Sequence, residues 1–221
     1  MLRQFQQASP GKIPVRGFLH VPESPSGDGL VLTHGAGADC QSLLLVALAI
    51  AFAESGVAVL RCDLPFRQSR PHGPPPRGSA ERDQQGLRAA IASLRQQVSE
   101  RTFLGGHSYG GRQATMLAAA QPDLVDGLLL LSYPLHPPKK SEQLRTEHFQ
   151  SLRTPALFVL GSRDGFGTVE ELTTALKLIP ARTELMLVQG GGHELASAKS
   201  IASVTHAVVQ AFRKFVAQQA G

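Results

Sequence analysis

Short apolar runs alternate with helix-like segments along almost the whole chain, and this alternation restricts the fold more than any other feature. The runs are rich in Val, Leu and Ile, as strands buried on both faces of a parallel sheet are. Helices between consecutive strands favour right-handed crossovers that cover both faces. The sequence therefore predicts an α/β protein with a doubly wound, mostly parallel sheet and helices on both faces. The predicted strands are 13–21, 30–33, 57–61, 102–105, 128–131, 156–160 and 184–188, and the predicted helices are 40–54, 81–98, 112–120, 141–152, 169–178 and 198–216.

The length and composition are those of one globular domain. A chain of 221 residues with 42% hydrophobic and 18% charged residues can bury a full core. Because no repeat or linker interrupts the pattern, we expect a single domain over residues 1–221. Residues 1–11 lack the apolar core of a signal peptide, and the longest apolar stretch, 43–53, is too short to span a bilayer. We therefore expect no membrane association and, by default, a cytoplasmic location.

Charge and cysteine content argue against several other classes. The formal net charge is +5, but the basic residues are scattered, aromatic content is 5% and Trp is absent, which disfavours nucleic-acid binding. Cys40 and Cys62 are expected to be small buried side chains rather than a disulfide or redox pair. The histidines show no metal-ligand spacing. We expect no cofactor and no metal.

One short motif joins a predicted strand to a predicted helix. Gly106-His107-Ser108-Tyr109-Gly110 has the pattern Gly-x-Ser-x-Gly, which forms a strained turn that exposes the serine hydroxyl. Glycines on either side allow the strand and the helix to approach closely. Such a pattern arises easily by chance among 22 glycines, so its meaning depends on what else the chain supplies.

An acid and a histidine follow two later strands. Asp164 comes after the strand 156–160, and His193 comes after the strand 184–188. Reactive residues of such sheets gather at the carboxyl ends of the strands. The order Ser108, Asp164, His193 is that of a nucleophile, an orienting acid and a general base. The sequence predicts that these three residues are catalytic.

A glycine-rich loop follows the strand 30–33. His34-Gly35-Ala36-Gly37 can direct backbone N–H groups at a developing oxyanion, next to the N–H of the residue that follows the serine. The predicted oxyanion donors are Ala36, or its neighbour Gly37, and Tyr109, and His34 is expected to shape the loop. A phosphate cradle is the weaker interpretation, because the loop lacks the Lys-Ser/Thr of a P-loop.

Two further features admit more than one interpretation. The Pro/Gly-rich segment 70–78 could be a flap over the site or, more simply, a stiff surface connection. Four arginines could form a rim that favours acidic substrates, although scattered arginines are usually solvated or paired with local acids. These arginines are Arg67, Arg70, Arg77 and Arg112. The segment 132–154 leaves no room for a large helical lid.

These residues together resemble the α/β-hydrolase superfamily over nearly the whole chain. The likeness is to the lidless, dienelactone-hydrolase-like branch, within it to the group of testis-expressed protein 30 and the hydrolase-like domain of regulatory NSL complex subunit 3. The residues that carry it are His34–Gly37, Arg61–Phe66, Gly105–Arg112, Ser132–Leu135 and Gly192-His193. The resemblance implies hydrolysis of esters, thioesters or amides. Dienelactone hydrolases use a cysteine nucleophile whereas this chain has Ser108, so their substrate is not implied.

Two function classes follow from the sequence. The first is a serine hydrolase, carboxylesterase-like, that cleaves a small acyl substrate through an acyl-enzyme on Ser108. The second is a hydrolase-fold protein that serves as a non-catalytic binding or scaffold module, as the chromatin-complex member of the similar group does. The substrate and the oligomeric state do not follow from the residues.

Overall fold

An eight-stranded sheet organises the protein, and helices cover both of its faces. The computed structural model describes residues 1–8 and 13–218. Strands β3 to β8 are parallel, whereas β1 and β2 form an antiparallel edge next to β4. The predicted fold class is confirmed. The strands are β1 (Leu2–Gln7), β2 (Val15–His20), β3 (Gly29–Thr33), β4 (Ala58–Cys62), β5 (Thr102–His107), β6 (Gly127–Leu131), β7 (Ala156–Gly161) and β8 (Thr183–Val188).

The strand order, β1-β2-β4-β3-β5-β6-β7-β8, reverses direction at the centre of the sheet. The chain leaves β3 toward β4 on one side and then crosses back to β5 on the other. The connections that follow β3 and β5 therefore run to opposite sides of the sheet from neighbouring carboxyl ends. This is the position at which open α/β sheets bind their ligands.

Each face of the sheet has its own apolar core. On one face α1 packs against α6, with Phe52, Phe103 and Phe212 in edge-to-face contact. On the other face α3, α4 and α5 cover a core that includes Phe149 and Phe158. The helices are α1 (Leu43–Glu54), α2 (Pro65–Ser69), α3 (Ser79–Arg95), α4 (Tyr109–Ala120), α5 (Val169–Leu176) and α6 (Ile201–Ala217).

One predicted helix starts later in the structure. The helix expected from residue 40 begins at Leu43, because the backbone of Cys40 has partners outside a helix. The Cys40 N–H donates to the Asp63 carboxylate at 2.9 Å, and its carbonyl accepts from the Arg61 guanidinium. Cys40 and Cys62 are both buried and unbridged, as expected.

The helix-like stretch 141–152 was a wrong prediction. Only a 3₁₀ turn, Phe149–Ser151, forms there. The Arg145 N–H donates to the Leu135 carbonyl at 2.8 Å, and the Arg145 carbonyl accepts from the Tyr133 hydroxyl at 2.6 Å. These long-range bonds take the backbone groups that a helix would need. No helix in residues 1–8 and 13–218 combines the length and apolar character that a bilayer crossing requires.

Candidate active site

The turn between β5 and α4 places Ser108 at the carboxyl end of β5, where the strand order reverses. Ser108 has φ 50° and ψ −114°, a conformation that costs a non-glycine residue energy and that functional sites retain. A Cβ on Gly106 would come within 2.5 Å of the Gly110 and Gly111 backbone, and a Cβ on Gly110 would come within 2.6 Å of the His34 carbonyl oxygen. Only glycine permits this close crossing. The two motif glycines therefore have the steric role that the sequence predicts.

Ser108, His193 and Asp164 lie in one hydrogen-bonded row. The Ser108 Oγ is 2.8 Å from His193 Nε2. His193 Nδ1 lies 2.9 Å and 3.0 Å from the two Asp164 carboxylate oxygens. The Asp164 side chain has no exposed surface, whereas His193 is 20% exposed. The structure thus brings together the three residues that the sequence selects, although they lie far apart along the chain.

The hydrogen-bond partners define which nitrogen of His193 carries the proton. A carboxylate can only accept, so Nδ1 donates to Asp164. The other nitrogen, Nε2, then faces the Ser108 hydroxyl as an acceptor. This is the tautomer that a base needs in order to take a proton from the serine.

Two neighbouring groups hold this arrangement in place. The Phe166 ring stacks on the His193 imidazole with centroids 4.1 Å apart and 28° between planes, and the Phe166 N–H donates to Asp164 Oδ1 at 2.9 Å. The buried His107 donates from Nε2 to the His193 carbonyl at 2.9 Å. Burial lowers the pKa of His107, so it makes this bond as a neutral imidazole. His107 therefore restrains the backbone of the loop after β8 that carries His193.

The glycine-rich loop after β3 lies against the serine turn. A Cβ on Gly35 would lie 3.4 Å from the Ser108 Cβ, which shows how closely the two loops approach. His34 is fully buried and bridges the loop: Nδ1 donates to the Gly35 carbonyl at 2.8 Å, and Nε2 accepts from the Leu64 N–H at 3.1 Å. Burial lowers its pKa and keeps it neutral. His34 thus shapes the loop that holds Ala36 and Gly37.

The three predicted oxyanion donors have unused backbone N–H groups. Within the described part of the chain, the N–H groups of Ala36, Gly37 and Tyr109 bond to no protein atom. Tyr109 is the first residue of α4, where an N–H has no partner within the helix and the positive end of the helix dipole lies. Its side chain is fixed separately, since the hydroxyl donates to the buried Asp83 at 2.8 Å. The backbone N–H stays available to a ligand.

The arginines that could have formed a basic rim differ in their exposure to solvent. Arg70 and Arg77 are exposed, but Arg67 is only 3% exposed. Its guanidinium bonds to backbone carbonyls of the glycine-rich loop and of segment 70–78. Neither interpretation of the sequence, rim or local ion pair, anticipated this role. The helix that carries it, α2, was also missed.

The side chains of the site offer a hydroxyl, an imidazole and a carboxylate in hydrogen-bond contact. In the part of the chain that the structure covers, no group of three or more His, Cys, Asp or Glu side chains could hold a metal ion. Segment 70–78 lies at the surface beyond α2 and is mostly exposed. The row from Asp164 to Ser108 is suited to proton transfer from the serine hydroxyl to the imidazole.

Comparison with known proteins agrees with the fold. Solved structures of similar shape include an alpha-beta serine hydrolase homologue from Coxiella burnetii (TM-score 0.76, 17% identity, covering 95% of this chain and 96% of that one). They also include a dienelactone hydrolase from Anabaena variabilis (0.74, 18%, 97% and 98%) and an a/b serine hydrolase without lid from Xanthomonas campestris (0.73, 17%, 96% and 94%). Residues 27–220 match the family described as alpha/beta hydrolase domain. The chain therefore belongs to the alpha/beta hydrolase domain family.

Proposed function

We propose that this protein is a serine hydrolase that cleaves a small ester, thioester or amide through an acyl-enzyme on Ser108. The observation that carries the proposal is the unbroken row of hydrogen bonds from Asp164 through His193 to Ser108, which lies at a strained turn at the carboxyl end of β5. A serine hydroxyl alone is a weak nucleophile, and an adjacent oriented base is what activates it.

The proposed reaction has two halves. In the first, Ser108 Oγ attacks the acyl carbon while His193 Nε2 takes its proton, and the imidazolium then protonates the leaving alcohol, thiol or amine. In the second, His193 removes a proton from water, which attacks the acyl-enzyme and regenerates Ser108. The buried Asp164 carboxylate holds the correct tautomer and stabilises the imidazolium in both halves.

The charge on the tetrahedral intermediate would be met by backbone N–H groups. We assign this role to Tyr109 together with Ala36 or Gly37, whose N–H groups have no protein partner in the described residues. Removing one such donor typically raises the barrier by about 3–4 kcal/mol. Loss of either donor is therefore expected to lower kcat by ~10²–10³-fold.

The connections around the site favour a small or exposed substrate. The segment that joins β6 to β7 contains a single 3₁₀ turn and no helical lid. A similar structure, Est1E from Butyrivibrio proteoclasticus, has been solved with ferulic acid bound (TM-score 0.75, 18% identity). For this chain we propose carboxylesterase-like activity on short acyl groups. Kinship with testis-expressed protein 30 and organisation as one domain over residues 1–221 remain predictions.

The test is hydrolysis of p-nitrophenyl esters of graded acyl length by the wild type and by Ser108→Ala. Ser203→Ala is the control, since Ser203 lies exposed on α6. The proposal requires that wild type and control turn over short esters and that Ser108→Ala does not. Undiminished turnover in Ser108→Ala, or none in the wild type, would refute it, and the second result would favour the non-catalytic binding module.

A further inference from the structure

Arg67 makes an unusual set of contacts for an arginine beside a candidate active site. It lies in α2 with 3% of its surface exposed, and its guanidinium donates to four backbone carbonyls. Nε bonds to Ala38 at 2.8 Å, Nη2 to Ala36 at 2.8 Å and to Gly73 at 3.0 Å, and Nη1 to Arg70 at 3.0 Å. Ala36 belongs to the glycine-rich loop and Ala38 directly follows it, whereas Arg70 and Gly73 belong to segment 70–78.

The bond to the Ala36 carbonyl also fixes the N–H of the next residue. A peptide group is planar and trans, so its C=O and N–H point in opposite directions. When Arg67 holds the Ala36 carbonyl, the Gly37 N–H must point away from Arg67. His34 does the same one residue earlier, because it holds the Gly35 carbonyl and so orients the Ala36 N–H. Each candidate donor N–H of the loop therefore belongs to a peptide group whose carbonyl accepts a hydrogen bond from a buried side chain.

Glycine at position 37 makes such restraint necessary. A Cβ there would meet no atom within 4 Å, so no neighbouring group packs against that side of Gly37. Gly37 is exposed, and glycine loses more backbone freedom on ordering than any other residue. The hydrogen bonds from Arg67 on either side, to Ala36 and Ala38, supply the restraint that packing does not.

The charge of Arg67 adds to this effect. No carboxylate lies within ion-pair distance of its guanidinium in the described residues. The positive charge is therefore directed at the four carbonyl dipoles, and polarising a carbonyl strengthens the N–H of the same peptide as a donor. Lysine cannot replace this arrangement, because its ammonium has three donors at one point rather than five across a planar fork.

We propose that Arg67 is a positioning residue that holds the Ala36–Gly37 peptide in the orientation needed to bind the oxyanion and ties it to segment 70–78. The inference rests on the proposed function, since an oxyanion forms only if Ser108 attacks an acyl carbon. It predicts that loss of Arg67 weakens binding of the tetrahedral intermediate and leaves binding of the ground-state substrate almost unchanged.

The test compares Arg67→Met and Arg67→Lys with the wild type, and Arg77→Met serves as the control. Arg77 lies in segment 70–78, which Arg67 contacts, but its side chain is exposed. Three quantities are measured: kcat and KM for p-nitrophenyl acetate, and the Ki of a trifluoromethyl ketone, which forms an oxyanion adduct with an active serine. Added guanidinium salt tests rescue of Arg67→Met, and thermal unfolding checks that each variant is folded.

We expect kcat of Arg67→Met to fall by ~10²-fold, with KM within about twofold of wild type, as for a displaced oxyanion donor. The ketone Ki should rise by the same factor as kcat/KM falls, and guanidinium should restore part of kcat. A damaged fold would instead change KM and the melting temperature without rescue. Unchanged kcat and Ki in folded Arg67→Met, with active wild type, would overturn the inference alone.

Two remaining outcomes are also decisive. If Arg67→Met does not fold, Arg67→Lys replaces it: a fall in kcat with constant KM supports the inference, and wild-type kcat overturns it. If the wild type does not hydrolyse any ester, the proposed function fails and this inference fails with it. The control Arg77→Met must keep wild-type kcat and Ki, because a loss there would show that any arginine of this region has the same effect.

Discussion

The replacement Asp164→Asn tests how His193 is oriented. Asparagine has almost the same shape as aspartate, so the packing of the buried side chain is preserved. Its carbonyl oxygen can still accept from the Phe166 N–H, as Asp164 Oδ1 does at 2.9 Å. Its NH₂ group then faces His193 Nδ1 and turns that nitrogen into an acceptor. The imidazole must then carry its proton on Nε2, where it points at Ser108 and cannot accept the serine proton.

The magnitude follows from the cost of restoring the productive tautomer. The charge-assisted bond between Asp164 and His193 is lost, which costs ~1.5–3 kcal/mol, and a buried amide donor is left unpaired, which costs a further ~1–3 kcal/mol. A total of ~2.5–6 kcal/mol corresponds to a ~10²–10⁴-fold fall in kcat. The same replacement in Ser-His-Asp proteases falls at the upper end of this range.

The assay is p-nitrophenyl acetate hydrolysis with Glu194→Gln as a matched control. Glu194 is exposed and adjacent to His193, so its replacement removes one negative charge nearby without changing the partners of Nδ1. Glu194→Gln should retain kcat within about threefold, since exposed charges are screened. A folded Asp164→Asn protein with kcat within tenfold of wild type would refute the assigned role of Asp164.

Three other perturbations have defined outcomes. Gly110→Ala should lower the free energy of unfolding by at least ~2 kcal/mol in urea titrations, because its Cβ would come within 2.6 Å of a backbone oxygen. The control Gly165→Ala should cost less than ~1 kcal/mol, because a Cβ at that position meets nothing within 4 Å. Equal losses in the two variants would contradict the steric role of Gly110. Burial lowers the pKa of His148 from 6.5 to about 4, so the unfolded chain binds more protons between these values and stability must fall as pH drops from 6.5 toward 4. His148→Gln should flatten this pH dependence by up to ~1.4 kcal/mol per pH unit, and an unchanged slope would refute it. Phe166→Leu removes the ring stacked on His193 and should lower both kcat and the rate of fluorophosphonate labelling of Ser108 by ~10-fold. Wild-type values of both would show that the stack does not position the base.

The core of the fold could be predicted because its strands carry their own signal. Strands β3 to β8 are short apolar runs between helices, and the structure places each within a few residues of its predicted bounds. Strand β1 was missed because Leu2–Gln7 is an exposed edge strand of mostly polar residues, and it forms only by pairing with β2. The strand therefore cannot be predicted from residues 2–7 alone, because it depends on the hydrogen bonds to β2.

The site shows the same division between local and long-range information. Ser108, Asp164 and His193 could be selected because each follows a strand, and parallel strands bring their carboxyl ends to one edge of the sheet. Arg67 could not be selected in this way, because the side chain of an arginine near an active site usually contacts solvent or substrate. Its role depends on four carbonyls in two separate loops, which only the folded chain brings together. The wrong helix 141–152 has the same cause, because the backbone of Arg145 bonds to distant partners.

The most direct test of the account is the site at which an acyl-like probe becomes attached. The folded wild type is treated with a fluorophosphonate, digested and mapped by peptide mass spectrometry, and His193→Ala is treated in parallel. The account predicts one phosphonyl group on Ser108 of the wild type and labelling slower by ~10²-fold or more in His193→Ala, since the base activates the serine. Labelling at another residue, absence of labelling in the wild type, or equal rates in the two proteins would contradict it.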